Sequence, residues 1–348
     1  MAGMFLVNFI GAYAVIPATF KHHRVYCSYA DTVMPHFFFA VGFAYRLTFL
    51  KRAEALGKPG AYRRAILRCL GLILVGAVVY HLDFEATSWQ KLREVGIWGF
   101  LSAAFRSSVF QALVHIGVTS LWILPVIGAR PGVRALYLIG SGLLHLVLSH
   151  IFYYDWALEN RVIDGGPLGF LSWTIPTLTG SLACDGLLRR GPGRAVAPFL
   201  GWALLLMVVG YGFSCLNLVD NVTEGGGLAR YLIEPPFVPP SRPVDIWNMS
   251  QQTGSISYLT FSAGFSLGLY ALFVLGCDVI GIAVGFLRTF GRNPLAGYLI
   301  HMIVADAIQP LVPREAPLWY VSMSFAVYIA ITYIFLWSLE RRRLFLRL

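Results

Sequence analysis

The sequence is poor in charge. Only 13% of its 348 residues are Asp, Glu, Lys or Arg, where an ordinary soluble domain carries about 25%. Its hydrophobic fraction is 57% and its mean hydropathy +0.67, which excludes a soluble enzyme, because so apolar a chain needs lipid around it. No CxxC pair occurs, and the five cysteines are scattered. A disulfide framework or a Cys-based metal site is therefore not expected, and no metal is. A basic segment before the first apolar run is also missing, so a cleaved signal peptide is not expected and the chain begins almost inside its first span. Neither a P-loop nor a GxGxxG after a strand is present. The formal charge of +10 does not point to nucleic acid, because Lys and Arg stand in short clusters between apolar runs, as charges that set membrane topology do.

What is present is a series of apolar runs of membrane-spanning length, bounded by charge, Pro or Gly. They predict helices near 2–18, 33–50, 64–81, 107–128, 133–153, 167–188, 196–218, 255–276, 293–311 and 318–338. The expected fold is all-α, a polytopic integral membrane helical bundle of about ten transmembrane helices forming one domain over 1–348. The segment 82–106 is too polar to span and reads as an interfacial amphipathic piece. The stretch 219–253, with Gly225-Gly226-Gly227, Pro235-Pro236 and Pro239-Pro240, reads as a loop outside the bilayer. Its sequon Asn221-Val222-Thr223 carries no weight without a glycosylating host. Connections after even-numbered helices, with the tail, hold 16 Lys and Arg against nine on the other side, where most acids lie. The positive-inside rule then puts both termini of a multi-pass membrane protein in the cytoplasm, and the loops 19–32 and 219–253 on the far side.

The densest ionisable cluster is Lys21-His22-His23-Arg24 followed by Asp31. A histidine can exchange a proton near neutrality, and a carboxylate on its other ring nitrogen fixes the tautomer, so His with Asp is a workable base unit. A solvated basic loop explains the same residues. Asp31 falls near the start of the second helix, where the helix dipole favours an acid for structural reasons alone. His115, His145, His150 and His301 fall within predicted spans, where each either faces a cavity or is satisfied by a neighbouring helix. The turn Asp164-Gly165-Gly166-Pro167-Leu168-Gly169 is a weak ligand signal and reads equally as an ordinary loop. Arg63, Arg64 and Arg68 offer guanidinium groups for phosphate, or are plain topogenic charge.

Taken in order, these segments resemble a known family. Val7-Asn8, then Phe20-Lys21-His22, then Ala30-Asp31-Thr32-Val33-Met34-Pro35 running into Phe37-Phe38-Phe39-Ala40-Val41-Gly42 are similar to the first-loop signature of the heparan-alpha-glucosaminide N-acetyltransferase family and its bacterial relatives. The likeness continues through Val114-His115-Ile116-Gly117, Asp164–Gly169, Ser255–Thr260 and Gly291-Arg292-Asn293-Pro294 to His301, and so covers nearly the whole chain in register. The family's SxDxxRG motif ahead of the VN pair is absent, so the native start is expected upstream. His115 stands where the family has an Arg.

The resemblance implies a transmembrane acyltransferase that takes acetyl-CoA from the cytoplasm and delivers the acetyl group to an amino sugar such as glucosamine, or a related glycan, on the far side. Carried over by position, His22 matches the active-site histidine, as base or acetyl carrier, with Asp31 orienting it and Asn8 donating to the oxyanion or holding substrate. His23 competes with His22 for the role. His23, Asn293, His301, Asp164 and His115 are the expected substrate-binding residues, and Arg63, Arg64 and Arg68 the expected contacts to the CoA phosphates. A homodimer in the lipid bilayer fits the resemblance. The alternative from another class is a secondary transporter or flippase with an intramembrane proton path through His residues and Asp306. No self-similarity between the two halves favours it.

Overall fold

A computed structural model describes residues 1–80, 88–106, 109–220 and 232–346. The chain is 77% helix, and no strand occurs among the described residues. In chain order the helices are α1 (Ala2–Ile10), α2 (Tyr29–Val79), α3 (Trp89–Arg106), α4 (Ala112–Ile127), α5 (Pro131–Leu148), α6 (Tyr154–Glu159), α7 (Gly169–Arg190), α8 (Pro192–Ser214), α9 (Asn217–Asp220), α10 (Ile256–Phe273), α11 (Gly285–Arg292), α12 (Pro294–Ile308) and α13 (Leu318–Arg341). A π-helical turn over Ser149–Tyr153 joins α5 to α6, and another over Val274–Val279 extends α10. Among the described residues four stretches are long and apolar enough to cross a membrane: Pro131–Glu159, Pro192–Ser214, Ile256–Val279 and Leu318–Arg341. The shorter apolar α4 accompanies them.

Several boundaries differ from those expected. The first helix ends at Ile10 rather than near 18, although the sequence stays apolar. Gly11 follows and Pro17 cannot continue a helix. The chain turns back so closely that a Cβ on Gly11 would lie 3.2 Å from the carbonyl oxygen of Phe20. The connection expected between the second and third spans is itself helical, so that both become α2, bent at Gly57. Gly57 has φ 71°, a left-handed conformation that side-chain-bearing residues avoid, and Pro59 follows it. Part of the segment expected to lie at the interface is α3, bent at Gly96. His81, Asp83, Glu85, the sequon at Asn221, Glu224 and Gly225–Gly227 lie outside the described residues, as does Arg347 in the tail.

The chain groups into two compact units. The first comprises Met1–His23, Ser28–Val33 and Ile280–Leu348, and the second Arg24–Cys27 and Met34–Val279. In the first unit α1 and α12 both pack on α13, and aromatic contacts join α1 to α13 and α11. Phe9 stacks on Tyr328 at 4.6 Å, and Phe5 meets Phe290 edge-on at 5.0 Å.

The second unit is organised around α7, which is buried along most of its length and packs against α4, α5 and α10. Trp173 of α7 is wholly buried, stacks on Phe38 at 4.4 Å and donates its indole N–H to the Asp164 carbonyl at 2.7 Å. Where α2 crosses α7, Gly42 faces the backbone of Thr177 and Gly180 faces that of Phe39. A Cβ at either glycine would sit within 2 Å of a carbonyl oxygen, so the two backbones touch. Such contact is how small residues join helices where lipid removes the usual hydrophobic drive.

Candidate functional site

The first unit brings together four of the polar residues singled out in the sequence. Ser28 caps α2: its hydroxyl accepts the Asp31 backbone N–H at 3.3 Å, while Asp31 Oδ2 accepts the Ser28 backbone N–H at 2.9 Å. This reciprocal pair is a capping box with Asp in place of the usual Glu. The expected helix-start role of Asp31 is therefore real, yet it occupies only part of the carboxylate. The other oxygen, Oδ1, lies 2.9 Å from His22 Nδ1. Asp31 is fully buried and His22 is 46% exposed, so the acid is fixed by its surroundings and the imidazole stays open to a ligand.

The turn-back at Gly11 carries Phe20 and Lys21 past the end of α1 and sets His22 beside Asn8, the exposed asparagine of that otherwise apolar helix. His22 Nε2 lies 3.3 Å from Asn8 Oδ1, and Asn8 Nδ2 lies 3.4 Å from His301 Nε2. His301 Nδ1 is 3.2 Å from the Gly297 carbonyl, one turn back along α12, and the His301 ring packs 5.2 Å from Phe5. The result is a chain of contacts running Asp31, His22, Asn8, His301, Gly297.

Donor and acceptor rules give this chain a direction. A carbonyl only accepts, so His301 Nδ1 carries a proton and its neutral Nε2 accepts from the Asn8 NH2 group. That turns Asn8 Oδ1 toward His22. Asp31 likewise only accepts, so His22 Nδ1 carries a proton. With His22 neutral, the Nε2 lone pair and the Asn8 carbonyl oxygen face one another, and an N–H or O–H from a third molecule would satisfy either. Once Nε2 gains a proton, it donates to Asn8 Oδ1 and every contact is satisfied. The Asn8 amide commits one of its two N–H groups to His301 and keeps a second on an exposed side chain.

The remaining candidates take other positions. His23 turns its ring to the Ala18 carbonyl, with Nε2 at 2.8 Å, and gives its backbone N–H to Asp31. Asn293 uses its side-chain amide on the tail, donating to the Leu344 carbonyl and accepting the Leu346 N–H, at 3.0 and 3.1 Å. It is a clasp between α12 and the residues after α13.

His115 and Asp164 belong to the second unit. His115 is buried, 6.2 Å from the Trp173 ring, and Asp164 accepts from the Gln251 amide at 2.8 Å. Asp164 is itself left-handed, at φ 56°, a conformation Asp tolerates better than most residues. Arg63 and Arg64 are exposed on α2 and Arg68 is partly covered. Burial, followed by the neighbouring charges of Arg68 and Arg64, lowers the Arg52 guanidinium from its ordinary value. Arg52, Arg64 and Arg68 thus form one cationic group.

Sequence reasoning missed Ser28, whose spacing from Asp31 was the available signal, and Gln309, whose amide reaches the Asn8 backbone carbonyl at 3.3 Å. It also missed a buried ionic cluster in the second unit. Arg46 pairs with Asp185 through Nε at 2.9 Å and Nη2 at 3.2 Å, and Arg134 pairs with the same carboxylate. Nothing in the local pattern marks these residues, which come from three helices. Among the described residues no group of three or more His, Cys, Asp or Glu gathers as a metal site would. Compared with known proteins, the chain fits no family model and matches no curated sequence.

Proposed function

We propose that this chain is a polytopic membrane acyltransferase, of about ten spans, that moves an acetyl group from acetyl-CoA to an amino sugar or related glycan. The observation that carries the proposal is the Asp31–His22–Asn8 geometry: a half-exposed imidazole held by a buried carboxylate at 2.9 Å, with a carbonyl oxygen waiting 3.3 Å from its free nitrogen. The resemblance of the surrounding segments to the heparan-alpha-glucosaminide N-acetyltransferase family supports the choice of reaction.

His22 Nε2 takes the proton of the acceptor amine or hydroxyl as that group attacks the thioester carbonyl carbon. The C–S bond breaks, and the thiolate of CoA leaves and takes the proton from His22 Nε2, which restores the neutral base. Asp31 holds the imidazolium through Nδ1–H, as the acid of a catalytic triad does. Asn8 Oδ1 accepts the new Nε2–H, so the protonated base is better satisfied than the neutral one. Arg52, Arg64 and Arg68 offer the guanidinium density that CoA phosphates require. The distribution of Lys and Arg supports a donor reached from the cytoplasm and an acceptor met on the far side.

The test is CoA release and acetyl transfer by the purified chain in detergent, with a panel of amino sugars, comparing wild type with His22→Ala and His23→Ala. Acceptor-dependent CoA release that is lost in His22→Ala by about 10²–10⁴-fold, and retained in His23→Ala, is the expected result. No turnover of acetyl-CoA by the wild type overturns the proposal and turns attention to transport in proteoliposomes.

A further inference from the structure

The Arg46–Asp185–Arg134 cluster is unbalanced in charge. Arg134 is fully buried, Arg46 and Asp185 are more than nine-tenths buried, and the exposed Arg189 approaches the same carboxylate at 3.6 Å. Three guanidinium groups therefore share one carboxylate, and two of the three are withdrawn from water. A buried charge without a counter-charge is among the costliest features a fold can carry.

The donors are also incompletely used. Arg134 gives Nη1 to the carbonyl and hydroxyl oxygens of Ser181, both at 2.9 Å, and Nη2 to Asp185, while its buried Nε–H has no acceptor among the described residues. Arg46 gives Nη1 to the Ile127 carbonyl at 2.6 Å, and its Nε and Nη2 to Asp185. The exposed Arg189 leaves one side of the cluster open to solvent.

We infer that Arg46, Arg134 and Arg189, arranged around Asp185, form a binding site for a phosphate group, entered from the Arg189 side. A phosphate dianion brings the charge at the site to balance. Its oxygens suit guanidinium groups, which present fixed pairs of N–H donors, better than a spherical halide does. The site is built from residues of the second unit alone, and it stands whether or not His22 catalyses acyl transfer. The phosphate can arrive on a free small molecule or as a phospholipid headgroup.

Thermal unfolding of the full-length chain in detergent, at constant ionic strength, tests the site with inorganic phosphate, pyrophosphate and a short-chain phosphatidic acid, against chloride. A ligand that binds only the folded state raises the transition temperature in a saturable way, and a rise with at least one phosphate probe is expected. Response to phosphate or pyrophosphate identifies a free ligand, and response to phosphatidic acid alone identifies a headgroup; both support the site. Arg134→Gln removes a charged donor, and its apparent affinity is expected to fall at least about tenfold. Should that variant fail to fold, the exposed Arg189→Gln is expected to weaken the response in the same direction. Asp185→Asn removes the competing anion and is expected to bind phosphate more tightly. No rise with any phosphate probe, or an equal rise with chloride, overturns the site.

Discussion

The two polar centres of this molecule handle charge in opposite ways. At His22 the acid is buried and its basic partner is half exposed; around Asp185 the acid and two of its basic partners are all withdrawn from water. The first arrangement leaves one group free to exchange protons with a visiting molecule, while its carboxylate is fixed by local backbone contacts. The second ties α2, α5 and α7 together and tolerates little disturbance. A chemical site needs one mobile partner, whereas a structural or binding site needs all its partners held.

Four experiments would break or sharpen this contrast. The largest effect is expected from Asp185→Ala, which leaves two buried guanidinium groups unpaired. It should cost about 3–5 kcal/mol, read as a lower transition temperature in detergent, with much of the loss restored by phosphate. Asp31→Ala should cost less stability, about 0.5–2 kcal/mol for the lost cap, and should lose acyl transfer as fully as His22→Ala does. If Asp31→Ala destabilised as much as Asp185→Ala, the two centres would not differ in kind. His22→Ala itself should stay within about 1 kcal/mol of wild type in stability, since its imidazole is half exposed.

The smallest effect concerns Glu234, in the segment after α9. Burial acts to raise its carboxyl, but hydrogen bonds from the Ser241 hydroxyl and from the Glu234 and Ser241 backbone, with the charge of Arg242, outweigh it and leave the carboxyl below its ordinary value. A depressed carboxyl contributes stability that is complete above its unfolded value and is lost as pH falls through the folded one. Hydrogen exchange in 232–242 should therefore quicken under acid conditions in wild type, and Glu234→Gln should remove that pH dependence.

The apolar runs made the long helices legible, because composition and length alone identify a stretch such as Pro192–Ser214. The end of α1 was not legible: hydropathy continues past Ile10, and only the return of Phe20 toward Gly11 shows why the helix stops. The pairing of His22 with Asp31 was readable from a separation of nine residues within one loop. The contact of Asn8 with His301 spans 293 residues, and no local pattern encodes it. Arg134 looked like topogenic charge because a sequence does not show burial, and Asn293 looked like a ligand contact because it does not show that the tail uses its amide.

That difference in separation also orders the assembly of the His22 centre during synthesis. Chains emerge from the ribosome N-terminus first, so Asn8, His22 and Asp31, which lie within 24 consecutive residues, emerge close together, and the capping box that starts α2 brings Asp31 into place as that helix nucleates. His301 follows Asn8 by 293 residues and arrives much later. The nascent protein can thus hold Asp31 and His22 in register while Asn8 still lacks the neighbour that turns its carbonyl toward His22, and α12 completes the centre when it docks.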